Sequence, residues 1–272
     1  PLPTQRHDDE VTRLCGITEE DKKVPPAVRM FGCQVDLVEE EYGVTDEDLA
    51  AIAVKARRHA EHNQNAIFRG QFSVDDVLAG PRLFRGMRKL FACPPSCGAA
   101  AVVVCSEEFA RRRGIRSDVR LIGGSWQSDT AEDFGNVPLD VMFRSVSERG
   151  AAAAYESAGV GPEDIDVVEL HDCFTSNEAV LYAALGLCDR EDVPAFIRNG
   201  DNTYGGRYVV NPSGGLMAKG HPLGATGLAQ ITELVEQLRG TSGVRQVEGA
   251  RTALQQNAGM GSAGFVHIFQ KD

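Results

Sequence analysis

From residue 93 onward, short apolar runs alternate with segments of helical periodicity, and this alternation limits the folds open to the chain. The runs with the length and composition of buried or half-buried strands are 98–105, 119–122, 165–170, 250–256 and 264–269. The segments whose apolar residues recur at helical spacing are 138–158, 174–187 and 226–238. Alternating strands and helices predict an α/β domain in which helices cover the faces of a sheet.

The first 92 residues lack this alternation, and we expect them to be irregular and partly helical. Thr45 and Ser73 each precede acidic residues in the pattern of a capped helix start. A basic stretch follows, consisting of Arg82, Arg85, Arg88 and Lys89. This stretch is either a solvated surface or a contact for the phosphate groups of a ligand.

Composition and charge argue against several functional classes. The net charge of −11 disfavours binding to nucleic acid. No apolar run approaches the ~18 residues of a membrane span, and the first residues do not resemble a signal peptide. The seven cysteines are irregularly spaced without a Cys-x-x-Cys pair, which disfavours a zinc or thioredoxin-type site. We therefore expect no metal and a reducing, cytoplasmic location.

One glycine-rich segment, 211–227, places His221 between Gly220 and Pro222, just before a predicted helix. Glycines permit backbone conformations that are closed to other residues and allow a ligand to approach closely. A histidine held in such a loop can serve as a base or as a hydrogen-bond donor. The alternative is a structural glycine loop with a surface histidine.

Two further segments contain groups suited to chemistry. His171 and Cys173 follow a predicted strand, where catalytic groups are often found, and their i, i+2 spacing places them on one side of an extended chain. The alternative is a core histidine beside a buried cysteine. The glycine-rich segment 257–264 lies between the last two predicted strands, where backbone N–H groups can bind an oxyanion. The alternative there is a plain tight hairpin.

Together these three segments resemble the catalytic loops of thiolases. The sequence Asn-Pro-Ser-Gly-Gly at 211–215, followed by Gly-His-Pro-Leu-Gly-Ala-Thr-Gly at 220–227, is highly specific to that family. His-Asp-Cys-Phe at 171–174 is the hallmark of its sterol-carrier-protein type, and Asp-Asn-Thr-Tyr-Gly-Gly at 201–206 also matches that type. The similarity runs from about residue 25 to the end of the chain.

The resemblance implies a role for each catalytic residue. His221 would activate a nucleophilic cysteine and help to bind the thioester oxyanion, and His171 would help to build an oxyanion hole. Cys173 would be the acid/base for the α-proton of acetyl-CoA, because Asn257 stands where other thiolases carry a cysteine for that task. Gly259 would supply a backbone N–H to an oxyanion. The implied substrate-binding residues are Asn211, Ser213, Gly214, Gly215 and Gly220.

The resemblance also implies a fold, namely the layered α-β-α-β-α arrangement of thiolases without the opening strands of the N-terminal core. Residues 1–92 would be a loop domain over the active site, 93–128 the last strands of the N-terminal core, and 129–272 the C-terminal core. No cysteine of the chain lies in the family's nucleophile motif, so we expect the nucleophile outside this chain and no thiolysis by the chain alone. Cys97 stands where the family usually has Asp.

The implied activity is that of an acyltransferase. It would cleave 3-oxoacyl-CoA by thiolysis, in lipid or sterol side-chain degradation, or run the reverse Claisen condensation, with coenzyme A as substrate and no bound cofactor. One alternative is a retro-aldolase acting on steroid side-chain CoA esters with a partner subunit. Another is a non-catalytic lipid-binding subunit. The expected assembly is a homodimer, or a complex with a subunit or segment that supplies the missing part. In a eukaryote the expected location would be the peroxisome.

Overall fold

A computed structural model describes residues 3–135, 137–259 and 263–272 of the chain. Its helices are α1 (Pro3–Leu14), α2 (Pro26–Tyr42), α3 (Asp46–Ala60), α4 (Val74–Leu78), α5 (Glu107–Arg113), α6 (Pro138–Val141), α7 (Arg144–Ala158), α8 (Thr175–Ala184), α9 (Val193–Arg198), α10 (Gly215–Ala218) and α11 (Thr226–Arg239). Its strands are β1 (Arg82–Phe84), β2 (Met87–Arg88), β3 (Val119–Gln127), β4 (Val167–Glu169), β5 (Val209–Val210), β6 (Thr252–Gly259) and β7 (Ala263–Lys271).

A five-stranded mixed sheet organises the second half of the chain, with the order β3-β7-β6-β4-β5. β7 pairs antiparallel with both β3 and β6, whereas β4 pairs parallel with β6 and β5. The parallel strands β4 and β6 end at the same edge of the sheet, and Glu169 is in register with Gln255. Residues that follow these two strands are therefore brought together in space.

Helices cover both faces of this sheet, as the α/β prediction requires. α11 packs on one face, where Leu234 and Leu238 join Val167 and Phe269 in an apolar cluster. α7 and α8 lie on the other face and share a larger core with α2 and α3. Most side chains of α8 are buried, which identifies it as the central helix between the sheet and the outer helices. No described helix has both the length and the apolar character needed to cross a membrane.

The first 92 residues contain more regular structure than expected from the sequence. α2 was not predicted, although its buried face runs from Arg29 to Tyr42. The two predicted helix starts are confirmed: the side chains of Thr45 and Ser73 each accept a hydrogen bond from the third residue of α3 and α4. In both helices that residue is an aspartate that bonds back to the backbone of the cap, forming a capping box.

The strand predicted at 98–105 is wrong. None of the described residues pairs with this segment, and Val103 and Val104 are 96% and 81% exposed. Apolar composition alone cannot form a strand, since each strand needs a hydrogen-bonded neighbour. The run at 119–122 does form part of β3, which pairs with β7. The predicted domain boundaries stay predictions.

The basic stretch forms the β1–β2 hairpin and the turn after it. Arg82 and Arg88 both bind the carboxylate of Asp46, at 3.1 and 2.8 Å, and Arg85 lies 3.6 Å from the carboxylate of Asp36. Three of the four basic residues are thus paired with carboxylates. Their use as a phosphate contact stays a prediction.

Candidate active site

His171 lies two residues beyond the end of β4, in the segment that leads into α8. Its backbone N–H donates to Oε1 of Gln256 at 3.0 Å, and its carbonyl accepts a hydrogen bond from Asn177 at 2.6 Å. Its ring nitrogen Nδ1 lies 2.5 Å from Oδ1 of Asn257. Glu169, the last residue of β4, is in register with Gln255 of β6, and His171 and Asn257 each follow this pair by two residues, which brings them close together. His171 as a whole residue is 6% exposed, so the orientation of its ring is set by the protein around it.

His221 lies in the loop between α10 and α11. Its backbone N–H donates to the hydroxyl oxygen of Ser96 at 2.7 Å, and its Nδ1 lies 2.8 Å from the hydroxyl oxygen of Thr226. Gly220 has a φ of 115°, a conformation that favours glycine, and a Cβ atom there would lie 2.9 Å from the Ser96 hydroxyl oxygen. Glycine at this position therefore lets the loop approach Ser96 closely.

The two imidazoles are neighbours. The ring centroids of His171 and His221 lie 5.0 Å apart, and the ring planes are perpendicular. Burial, together with a smaller effect of the nearby His221, lowers the pKa of His171 to about 3. Burial also lowers the pKa of His221 from its ordinary value. Both rings are therefore neutral near pH 7, so each has one N–H donor and one nitrogen lone pair.

The hydrogen bond to Thr226 assigns the proton on His221. The Thr226 hydroxyl donates to the Pro222 carbonyl at 3.0 Å, so its oxygen accepts from Nδ1–H of His221. In the neutral ring, Nε2 then carries the lone pair. His221 is consequently arranged to take up a proton at Nε2.

Cys173 lies two residues after His171 and is buried. Its carbonyl accepts a hydrogen bond from the backbone N–H of Cys93 at 2.9 Å. Burial raises the pKa of the Cys173 thiol well above its ordinary value, and Cys93 and Asp172 raise it further. At neutral pH Cys173 is thus a protonated thiol, which suits a proton donor better than a resting nucleophile.

Gly259 is the last residue of β6 and pairs with Ala263 of β7. The segment that joins these strands, 260–262, lies outside the described residues. The sequence predicted that Gly259 supplies an N–H group to an oxyanion, and this role stays a prediction.

The five predicted substrate-binding residues are buried, and the side chains of Asn211 and Ser213 form hydrogen bonds within the protein interior. The hydroxyl of Ser213 donates to Glu169 at 2.9 Å, and Oδ1 of Asn211 accepts from the backbone of Leu170 at 2.8 Å. A Cβ atom at Gly215 would collide with the carboxylate of Asp172. These contacts shape the loop that leads to His221. Direct binding of substrate by the predicted set stays a prediction.

Sequence reasoning did not single out the residues that hold the two rings. Asn257 was noted only as the replacement for a cysteine, and Ser96 and Thr226 were given no role. Gln255 of β6 pairs with Glu169 of β4, and Asn257 follows Gln255 by two residues, as His171 follows Glu169. This correspondence is the signal that could have identified Asn257. That signal requires knowledge of the strand register, which the sequence alone does not supply.

Comparisons with known proteins point to one family. Residues 137–271 match the thiolase C-terminal domain-like family. The chain is 41% identical over 271 residues to sterol carrier protein 2 of Homo sapiens, covering 99% of this chain and 49% of that protein. It is 42% identical over 208 residues to benzoylsuccinyl-CoA thiolase subunit BbsB of Thauera aromatica, covering 76% of this chain and 53% of that protein. The chain thus spans about half the length of these relatives.

A solved structure is similar in fold. The protein described as Ltp2-ChsH2(DUF35) aldolase superposes with a TM-score of 0.76 over 90% of this chain and 63% of that chain. The two sequences are 24% identical, so this likeness concerns the fold alone.

Proposed function

The chain belongs to the thiolase family, and on this premise we propose that it takes part in acyl transfer between CoA thioesters. The proposed reaction is thiolytic cleavage of a 3-oxoacyl-CoA to acetyl-CoA and a shortened acyl-CoA, or the reverse condensation. The observation that carries the proposal is the pair of neutral, perpendicular imidazoles, His171 and His221, whose centroids lie 5.0 Å apart. Such a pair suits chemistry in which thiols lose protons and carbonyl oxygens gain negative charge.

His221 is the proposed base for the thiol that attacks the 3-oxo carbonyl group of the substrate. The thiol proton moves to Nε2, and the sulfur forms a bond to the carbonyl carbon while the oxygen becomes negative. The resulting Nε2–H can then donate a hydrogen bond to that oxygen. Thr226 supports both stages, because it accepts Nδ1–H in the neutral and in the protonated ring.

Cys173 is the proposed proton donor at carbon. When the bond between the α-carbon and the β-carbonyl carbon breaks, the acetyl fragment leaves as the enolate of acetyl-CoA, which needs a proton at its α-carbon. The raised pKa of Cys173 keeps a proton available on sulfur at neutral pH. For the same reason, the Cys173 thiolate left behind is basic enough to recover a proton from an incoming thiol.

The proposal predicts a large loss of activity on replacement of His221 or Cys173. In the full natural chain, His221→Ala and Cys173→Ser should each lower kcat by about 10²-fold or more, as expected when a proton-transfer group is removed. The measurement is cleavage of acetoacetyl-CoA by free coenzyme A. The control is His62→Ala, because His62 is exposed and outside the site. Activity in either test variant equal to that of the control would rule out the assigned roles.

The two alternative functions can be distinguished from thiolysis by the substrate that the protein cleaves and by its need for coenzyme A. A retro-aldolase would cleave a 3-hydroxyacyl-CoA without added coenzyme A, whereas thiolysis needs a 3-oxoacyl-CoA and coenzyme A. A non-catalytic subunit would bind acyl-CoA without turnover. The similarity to sterol carrier protein 2 supports testing acyl chains of lipid and sterol origin. We also propose that the protein forms a homodimer or binds a partner subunit, and that it is located in the cytoplasm or, in a eukaryote, in the peroxisome. Light scattering on the full chain tests whether it forms a homodimer.

A further inference from the structure

Asn257 bonds to the His171 ring in a way that specifies where the ring proton lies. Oδ1 of Asn257 accepts the backbone N–H of Ala258 at 2.9 Å, which identifies this atom as the amide oxygen. The same oxygen lies 2.5 Å from Nδ1 of His171. An amide oxygen only accepts hydrogen bonds, so Nδ1 of His171 must carry the proton.

The other nitrogen of the ring is then defined by elimination. His171 is neutral near pH 7, and a neutral imidazole has a single N–H. With that proton on Nδ1, Nε2 has a lone pair. Within the described part of the chain, the hydrogen bonds of His171 run through its backbone and Nδ1, and none uses Nε2. The ring lies beside His221, so this lone pair belongs to the candidate active site.

We propose that Asn257 is a positioning residue that holds His171 in the Nδ1–H tautomer, so that His171 accepts a hydrogen bond at Nε2 within the active site. A neutral His171 in this state cannot donate to a thioester oxygen. It can instead bind a protic molecule such as water, which donates one hydrogen bond to Nε2 and a second one to the oxyanion. This refines the oxyanion role expected of His171 from the sequence. The catalytic consequence rests on the proposed function, whereas the tautomer does not.

The Asn257 side chain packs against Gly227, a position that has no side chain of its own. A Cβ atom at Gly227, near the start of α11, would lie 2.8 Å from Nδ2 of Asn257, closer than real Cβ atoms approach. Glycine has low helix propensity, so its presence within a helix calls for a packing reason. The packing reason here is the amide that orients His171.

A second amide–imidazole pair on the same strand provides a matched control. Oε1 of Gln255 lies 2.7 Å from Nδ1 of His267, and the Gln255 amide also donates to Gln230. Gln255 and Asn257 are two residues apart in β6, so their substitutions disturb the same strand. Only the Asn257 substitution should affect His171.

The test is nitrogen-15 NMR of the histidine side chains in the full natural chain at pH 7, since the N–H coupling shows which nitrogen carries the proton. We expect His171 to be protonated at Nδ1. In Asn257→Leu the proton should move to Nε2 or be shared, while Gln255→Leu should alter only His267. We also expect Asn257→Leu to lower kcat by about 10- to 100-fold with little change in KM.

A second variant keeps the proposal testable if Asn257→Leu does not fold. Asn257→Asp keeps the acceptor, so the Nδ1–H tautomer should persist, and the carboxylate should raise the titration midpoint of His171 by about 1–3 pH units. Protonation at Nε2 in the unmodified protein, or an unchanged His171 in Asn257→Leu, would overturn the proposal. These NMR outcomes do not depend on thiolysis, so failure of the proposed function is recognised separately.

Discussion

At the scale of single residues, buried histidines make the stability of the protein depend on pH. Burial lowers the pKa of His171 and of His59 to about 3, below the ordinary value of 6.5. Below pH 6.5 the unfolded chain takes up these protons and the folded chain does not, so stability is lost as the pH falls. We expect the free energy of unfolding to drop by about 2 kcal/mol per buried histidine between pH 8 and pH 5.

Urea unfolding over this pH range checks the expectation. His171→Gln and His59→Gln should each remove part of the slope of stability against pH, whatever their effect on stability at pH 8. An undiminished slope in His171→Gln would show that His171 can be protonated in the folded state.

At the scale of secondary-structure elements, an isolated antiparallel β-bridge outside the strands brings two cysteines together. Ala92 pairs antiparallel with Phe174, so Cys93 and Cys173 lie directly opposite each other. Residues in such hydrogen-bonded pairs have Cα atoms about 5.5 Å apart, within the range of a disulfide. The thiol-specific oxidant diamide should therefore link Cys93 to Cys173, with the two electrons and two protons of the thiols reducing diamide to its hydrazine.

The rate of this linkage should reflect the burial of the thiols. Burial raises the pKa of Cys93 to about 12, and that of Cys173 is also raised, so few thiolates are present at pH 7. Linkage should be slow at pH 7 and faster at pH 9, as measured by mass spectrometry of peptides. Cys93→Ser should abolish the linked peptide, and replacement of the exposed Cys97 should not. Linkage of Cys173 to a different cysteine would contradict the register.

At the scale of the whole molecule, a buried ion pair joins the first 92 residues to the helices that pack on the sheet. Lys55 of α3 binds Glu178 of α8, and their side chains are 4% and 0% exposed. Tyr182 also donates to this carboxylate at 2.5 Å. Removing the lysine leaves a buried carboxylate without its cation, so Lys55→Met should lower the free energy of unfolding by about 3–5 kcal/mol.

A double-mutant cycle tests whether this loss comes from the pair. Lys55→Met combined with Glu178→Met should be less destabilising than the sum of the single changes, because no buried charge is left alone. Lys22→Met, which removes an exposed pair with Glu19, should change the free energy of unfolding by less than about 1 kcal/mol. Urea unfolding should show one cooperative transition. Additive effects at Lys55 and Glu178 would show that the loss does not come from the pair, and two transitions would show that α3 unfolds separately from α8.

Local sequence determined the features that depend on neighbouring residues. Thr45 and Ser73 begin helices because each capping interaction spans only three residues. The apolar runs around β4, β6 and β7 were recognisable as strands because their composition and alternation are local properties. The loop containing His221 was recognisable because its glycines and proline constrain the backbone wherever the loop lies. The thiolase resemblance rests on motifs of this kind.

Tertiary structure decided what depends on partners distant in the chain. The run at 98–105 is apolar, yet it is not a strand, because no described residue pairs with it. His171 and Asn257 are 86 residues apart and meet only through the register of β4 and β6. That register, together with burial, sets both the charge and the tautomer of the ring. The sequence thus determined which chemical groups are present, and packing decided which of them carry protons, because protonation depends on the solvent and partners that folding removes or supplies.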